Sequence, residues 1–192
     1  MLNIYVLLST TRPQRRSEPI GKWVMSELAK NKQIKAELID LRDWDLPFFN
    51  EVKSMMSIKK EELSSDAVRK WGEKIAKADG YIIVTAEYNH GYPAVLKNAL
   101  DYAYYEWHKK PVGFVAYGAA VGGVRAVEQL RQVAIELQMA PISEAVYIPL
   151  IRAAFDEKGN LKDEDSYNKR LDSMVEQLIW WTKSLKEARD KS

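Results

Sequence analysis

Apolar runs alternate along the chain with stretches whose apolar positions recur at helical spacing, and each change of period falls at a polar or glycine-rich break. Residues 2–8 are apolar nearly throughout, which predicts a strand covered on both faces. Ile20, Trp23, Val24 and Leu28 follow at helical spacing, with Ser17 as the expected N-cap. Residues 35–40 make a short second strand. Over 41–58 the pattern breaks, with Trp44, Pro47, Phe48, Phe49, Met55 and Met56 set among polar residues. A segment this long serves as a lid, as a subunit contact, or simply as packing on its own domain.

Helical spacing returns at Val68, Trp71, Ile75 and Ala78, and residues 81–85 form a third, β-branched strand. A polar loop, 86–91, separates it from a helix opened by Pro93 and carrying Val95, Leu96, Ala99, Leu100 and Ala103 on one face. Tyr104, Tyr105 and Trp107 cluster beyond that helix, as a cap on the core or as an interface. Residues 112–117 and 145–148 are the fourth and fifth strands. Between them lie the small-residue loop 118–123 and a helix marked by Val124, Val127, Leu130, Ala134 and Leu137. A turn at 156–160 precedes a last helix with Tyr167, Leu171, Met174, Leu178, Trp181 and Leu185 along one stripe.

Five strands alternating with helices predict an α/β fold, a five-stranded parallel sheet with helices on both faces. The flavodoxin-like strand order 2-1-3-4-5 is a common solution. With 192 residues the expectation is one domain over 1–192. A composition of 46% hydrophobic and 29% charged residues is that of a soluble globular protein. The formal net charge of +2 gives no argument for nucleic acid or a membrane surface as partner. Cysteine is absent, which excludes disulfides, thiolate metal sites and cysteine nucleophiles and is compatible with the cytoplasm. No targeting segment is recognisable, and no run reaches the roughly 18 apolar residues of a membrane span.

The candidate chemistry lies in three loops at the carboxyl ends of strands, where open parallel sheets bind ligands. The first, 9–17, holds hydroxyls and guanidiniums ahead of a helix N-terminus, the form of an anion site. Arg12, between threonines and a proline, is the expected anion contact, whereas Arg15 and Arg16 read as a solvated charge pair. The loop lacks both the Gly-Lys-Ser/Thr of a P-loop and the Gly-x-Gly-x-x-Gly of a dinucleotide site. In the second loop Tyr88 offers a flat surface, Asn89 two donors and an acceptor, and Gly91 a close backbone approach. The same residues also make an ordinary turn. The third loop is rich in small residues that admit a ligand to the backbone. A phosphate pocket beside a planar-ring pocket calls for a mononucleotide, and FMN fits best, since this sheet order binds it between the first and third strands.

With these loops assembled, the chain resembles the NAD(P)H-dependent FMN reductase family of flavodoxin-like proteins over residues 2–149. Glu87-Tyr88-Asn89, with Pro93 and the run 96–101 downstream, resembles the family's Pro-Glu-Tyr-Asn motif and its helix; Ala86 stands where the family has proline. Arg12-Pro13 lies where its Gly-Ser-Thr-Arg loop ends, with Ser9 and Thr10 in the places of glycine and serine. Tyr117-Gly118 with Gly122-Gly123 resembles its third loop.

The resemblance implies that Thr10, Arg12 and Ser17 hold the phosphate. It implies that Glu87, Tyr88, Asn89 and His90, with Tyr117, Gly118 and Ala119, hold the isoalloxazine, largely through main-chain groups. It further implies hydride transfer from NADPH or NADH and delivery of electrons to a quinone, flavin, azo or metal-ion acceptor. No nucleophile–base pair is needed, because the cofactor carries the chemistry. His90 is a candidate proton donor, a plain polar contact being the duller role, and two isolated histidines do not suggest a metal site. His108 reads as a surface residue.

A homodimer or homotetramer is implied, with 41–60 and the Tyr104–Trp107 aromatics as the candidate interface. The alternative function is a flavin-binding electron carrier or redox-dependent regulatory module. A response-regulator receiver is excluded, since Ser9-Thr10 and Thr85-Ala86 stand where it needs acidic residues.

Overall fold

The computed structural model describes residues 1–157 and 159–191. Five parallel strands form one sheet: β1 (Leu2–Leu8), β2 (Ile34–Asp40), β3 (Gly80–Ala86), β4 (Pro111–Tyr117) and β5 (Ala140–Ile148). Their order is β2-β1-β3-β4-β5, the flavodoxin-like arrangement. The helices are α1 (Ser17–Leu28), α2 (Asp66–Ala76), α3 (Ala94–Asp101), α4 (Val124–Glu136) and α5 (Glu164–Asp190).

Alternation within each strand divides the core in two. Ile4, Val6 and Leu8 of β1, Ile82 and Val84 of β3 and Val115 of β4 face α1 and α5. Tyr5, Leu7, Tyr81, Ile83 and Phe114 face α2, α3 and α4. The inner strands β3 and β4 are buried at every position, whereas β5 at the edge exposes Ser143 and Glu144. That polar half, with Pro141 and a bulge opposite Val112/Phe114, is why the apolar pattern predicts only 145–148 of a strand that begins at Ala140.

Several expectations are corrected. Trp107 is fully buried: a 3₁₀ turn over Tyr105–Trp107 turns its ring inward, 4.9 Å from Tyr81 and 6.3 Å from Trp71. It therefore belongs to the core and to no interface, while Tyr105 remains exposed. The buried stripe of α5 is Leu171, Met174, Val175, Leu178, Ile179 and Thr182, and Trp181 lies outside it. A helix of 27 residues runs roughly 40 Å against about 23 Å for a seven-residue strand, so its last turns overhang the sheet. His108 is half-buried between Tyr104 and Tyr105, and desolvation lowers its pKa.

The 41–58 segment is latched to its own domain. Asn98 accepts from the Phe49 N–H at 2.8 Å and donates to the Pro47 carbonyl at 2.7 Å. The Tyr102 and Tyr105 hydroxyls donate to the carbonyls of Phe48 and Met56. Trp44 packs on Trp71 and Phe49 on Tyr102, leaving Phe48, Val52 and Met56 exposed. Of the turn expected at 156–160, Lys158 lies outside the described residues; Gly159 takes a positive φ there and donates to Asp156.

Candidate functional site

At the carboxyl ends of β1, β3 and β4 the three loops surround a cleft of about 560 Å³, within the range of small-molecule sites. Arg12, Gln14, Arg15 and Arg16 line one side. Glu87, Tyr88, Tyr117, Gly118 and Ala119 line the other, and Ile151 and Arg152 close the end.

The first loop enters α1 through Arg16, which gives no side-chain cap, so the helix N-terminus is left to an outside acceptor. Ser17 is the first helical residue and not the N-cap: its hydroxyl bonds Thr10 Oγ1 at 2.6 Å, and Thr10 Oγ1 lies 3.5 Å from the Tyr117 hydroxyl. All three side chains are buried, and desolvation raises the Tyr117 pKa. Arg15 is no solvated charge. Its guanidinium is buried, donating to the Thr10 carbonyl and to both carboxylate oxygens of Asp40 at the end of β2. Parallel pairing places Asp40 opposite Leu8 and so within reach of Arg15, a proximity across 25 positions between Arg15 and Asp40 that a local pattern does not encode. Arg12, Arg16 and Arg152 are exposed and have no carboxylate partner among the described residues; Arg16 stacks over Phe155 at 5.6 Å.

The second loop is a tight hairpin. Tyr88 and Gly91 exchange both backbone hydrogen bonds, at 2.8 and 3.0 Å, across Asn89 and His90, whose φ values are +50° and +69°. Two successive left-handed residues make a primed turn, and asparagine and histidine tolerate that conformation better than most side chains. Glu87 points away from solvent into the neighbouring loop. Its carboxylate accepts from the Arg125 N–H at 3.1 Å, one residue into α4, and pairs with the Arg125 guanidinium at 2.9 Å.

In the third loop Gly122 and Gly123 have φ of +65° and +94°, and a Cβ at Gly123 would lie 2.7 Å from Ala116 Cβ. Both are required by the turn. The ladder already uses several amides, since the N–H of Glu87 bonds Tyr117 O and that of Gly118 bonds Ile148 O. The N–H groups of Asn89, His90 and Ala119, and of Thr11 and Arg12 in the first loop, have no protein acceptor among the described residues.

An uncapped helix N-terminus and guanidiniums without carboxylates at one end, with an aromatic face and free amides at the other, suit a phosphorylated planar heterocycle. The comparisons agree. Residues 2–152 match the NADPH-dependent FMN reductase family. The chain is 38% identical to an NAD(P)H-dependent FMN reductase of Schizosaccharomyces pombe over 149 residues, 76% of this chain and 73% of that one. It is 31% identical to a 2-hydroxy-1,4-benzoquinone reductase of a Burkholderia species, over 80% of this chain and 88% of the other. In fold it is similar to FerB, a flavoenzyme NAD(P)H:(acceptor) oxidoreductase from Paracoccus denitrificans. The TM-score is 0.74 at 21% identity, over 95% of this chain and 98% of FerB.

This chain belongs to the NADPH-dependent FMN reductase family. It is an oxidoreductase with FMN as its cofactor and NAD(P)H as co-substrate. The cleft fits that cofactor on its own chemistry, in its free donors and its uncapped helix.

Of the positions expected at the site of this reductase, Arg12, Glu87, Tyr88, Tyr117, Gly118 and Ala119 line the cleft, and Asn89 and His90 lie in the exposed turn beside it. Thr10 and Ser17 sit behind its wall. Sequence reasoning missed Arg152 and Ile151, which β5 delivers, and the roles of Arg15 and Arg125. Arg152 had a signal: it follows the fifth strand as Arg12 follows the first. Among the described residues no group of His, Cys, Asp or Glu is placed to hold a metal ion, and no helix is long and apolar enough to cross a membrane.

Proposed function

We propose that this enzyme transfers electrons from NAD(P)H to a quinone, with free flavin, azo compounds and metal ions as further acceptors, in a ping-pong cycle at a single cleft. The observation that carries the reading is the polarity of that cleft, cationic along the first loop and open, flat and aromatic at Tyr88. The 2-hydroxy-1,4-benzoquinone reductase among its relatives supports a quinone acceptor. FMN, when bound, supplies the hydride and electron chemistry.

The chain binds and orients. Arg12 holds the phosphate with the free amides of the first loop and the α1 N-terminus, and Thr10 and Ser17 brace it from behind. Tyr88, with the free amides of Asn89, His90 and Ala119, positions the ring edge, where preorganised N–H donors favour developing negative charge. Glu87 acts one step back, tying the second loop to α4 through Arg125. Tyr117 and Gly118 form the floor. His90, at the exposed apex of the turn, serves as a polar contact and not as a proton donor.

The whole chain acts as one domain, located in the cytoplasm and assembled as a homodimer or homotetramer. Exposed Phe48, Val52, Met56 and Tyr105 on the latched 41–58 face supply the contact.

The test is steady-state oxidation of NADPH and NADH by FMN-loaded protein with added quinone. Turnover that needs both substrates, with parallel double-reciprocal lines, is expected. Negligible turnover in a fully loaded sample would replace the reductase by a flavin-binding electron carrier. Light scattering that shows only monomer would remove the assembly.

A further inference from the structure

The Arg15 side chain is the cleft guanidinium that solvent does not reach, at 1% exposure. One terminal nitrogen donates to the Thr10 carbonyl and, at 2.7 Å, to Asp40 Oδ1; the other pairs with Asp40 Oδ2. Gln14, at φ +52°, turns the chain so that Arg15 doubles back beneath the loop it belongs to. Arg15 Nε and Ser9 Oγ, both buried, have no partner among the described residues.

Such a pair is a poor device for stability, because the desolvation of two charges offsets most of their attraction. Nor does it attract an anion, since Asp40 neutralises the guanidinium. What it controls is direction. In a trans peptide the carbonyl of one residue and the N–H of the next point opposite ways. Holding the Thr10 carbonyl inward on Arg15 therefore turns the Thr11 N–H outward, where no acceptor among the described residues meets it. It also keeps a carbonyl dipole from facing an incoming anion. The register of β2 on β1 sets the clamp, since Asp40 ends β2 directly opposite Leu8. Loop shape and strand pairing are thereby locked together.

We propose that Arg15 and Asp40 are a positioning pair that shapes the 9–17 loop for a phosphate dianion and so sets this reductase's selection of FMN over riboflavin. The inference rests on the reading that the phosphate lies at this loop.

Flavin titrations of the full chain, read by quenching of isoalloxazine fluorescence, test it with FMN and with riboflavin in parallel. In the unaltered protein FMN should bind at least about a hundredfold tighter than riboflavin, from two or more charged hydrogen bonds. Asp40→Asn and Arg15→Lys should each weaken FMN by about tenfold or more while riboflavin changes less than about threefold. Two variants are used so that a folding defect in one, seen by circular dichroism, leaves the other decisive. Equal losses for both flavins would make the pair a general support of the fold and overturn the proposal, as would no loss for either. Failure of the unaltered protein to prefer FMN would instead remove the phosphate from this loop.

Discussion

Three arginines in five positions, Arg12, Arg15 and Arg16, meet three different fates. Arg12 lines the cleft with no carboxylate partner among the described residues, Arg15 is buried on Asp40, and Arg16 stacks on Phe155. Charge type alone therefore says little, and the partner decides the role. Removing Arg12 with Arg12→Ala should weaken FMN about tenfold or more, the worth of one charge-assisted hydrogen bond, with the thermal midpoint unchanged. A fluorescence titration beside a melting curve checks both halves. Gly123 is constrained in the opposite sense, by its backbone. Gly123→Ala combines a φ of +94° with a 2.7 Å approach to Ala116, and should cost about 1–3 kcal/mol in urea unfolding.

At the scale of elements, strands and helices were legible because each carries its period in its own residues. Residues 2–8 and 81–85 read as strands, and the structure gives Leu2–Leu8 and Gly80–Ala86. β5 was under-read, since an edge strand exposes polar residues that resemble a loop. For the 41–58 segment packing on its own domain was one of three readings that the pattern left open, because its fixings are side chains of α3 and the turn beyond it, some fifty positions away. Asn98 holds two of them. Asn98→Ala should destabilise the fold by about 1–3 kcal/mol. Amide exchange should rise at Phe48 and Phe49 more than in β3, as hydrogen exchange by mass spectrometry will show.

For the whole molecule, the ends of the sheet differ in chemistry. The carboxyl ends gather the site, while near the opposite end Lys110 is buried ahead of β4. Its ammonium donates to the carbonyls of Ala76 at 2.8 Å and Ile75 at 3.3 Å, closing the C-terminus of α2. Burial, with Arg189 nearby, pushes its pKa down to about 8. A lysine whose folded pKa lies below its unfolded value binds more protons when unfolded, so its contribution to stability rises with pH between those values. From pH 8 to about 10 the unaltered protein should gain stability relative to Lys110→Met in paired urea titrations. Above that range the buried tyrosines, whose pKa values desolvation raises, act in the opposite direction, Tyr81 most strongly.

The amino-acid sequence by itself determined the alternation of strands and helices, the three loops that end β1, β3 and β4, and the family, because period, turn residues and short motifs are local properties. Tertiary structure alone decided that Arg15 is buried, that Trp107 faces inward, that 41–58 is latched, and that Arg152 joins the cleft. Those outcomes depend on which distant residues the parallel register and the helix packing bring into contact. Burial or pairing of a charge is fixed by that proximity, and no spacing along the chain records it.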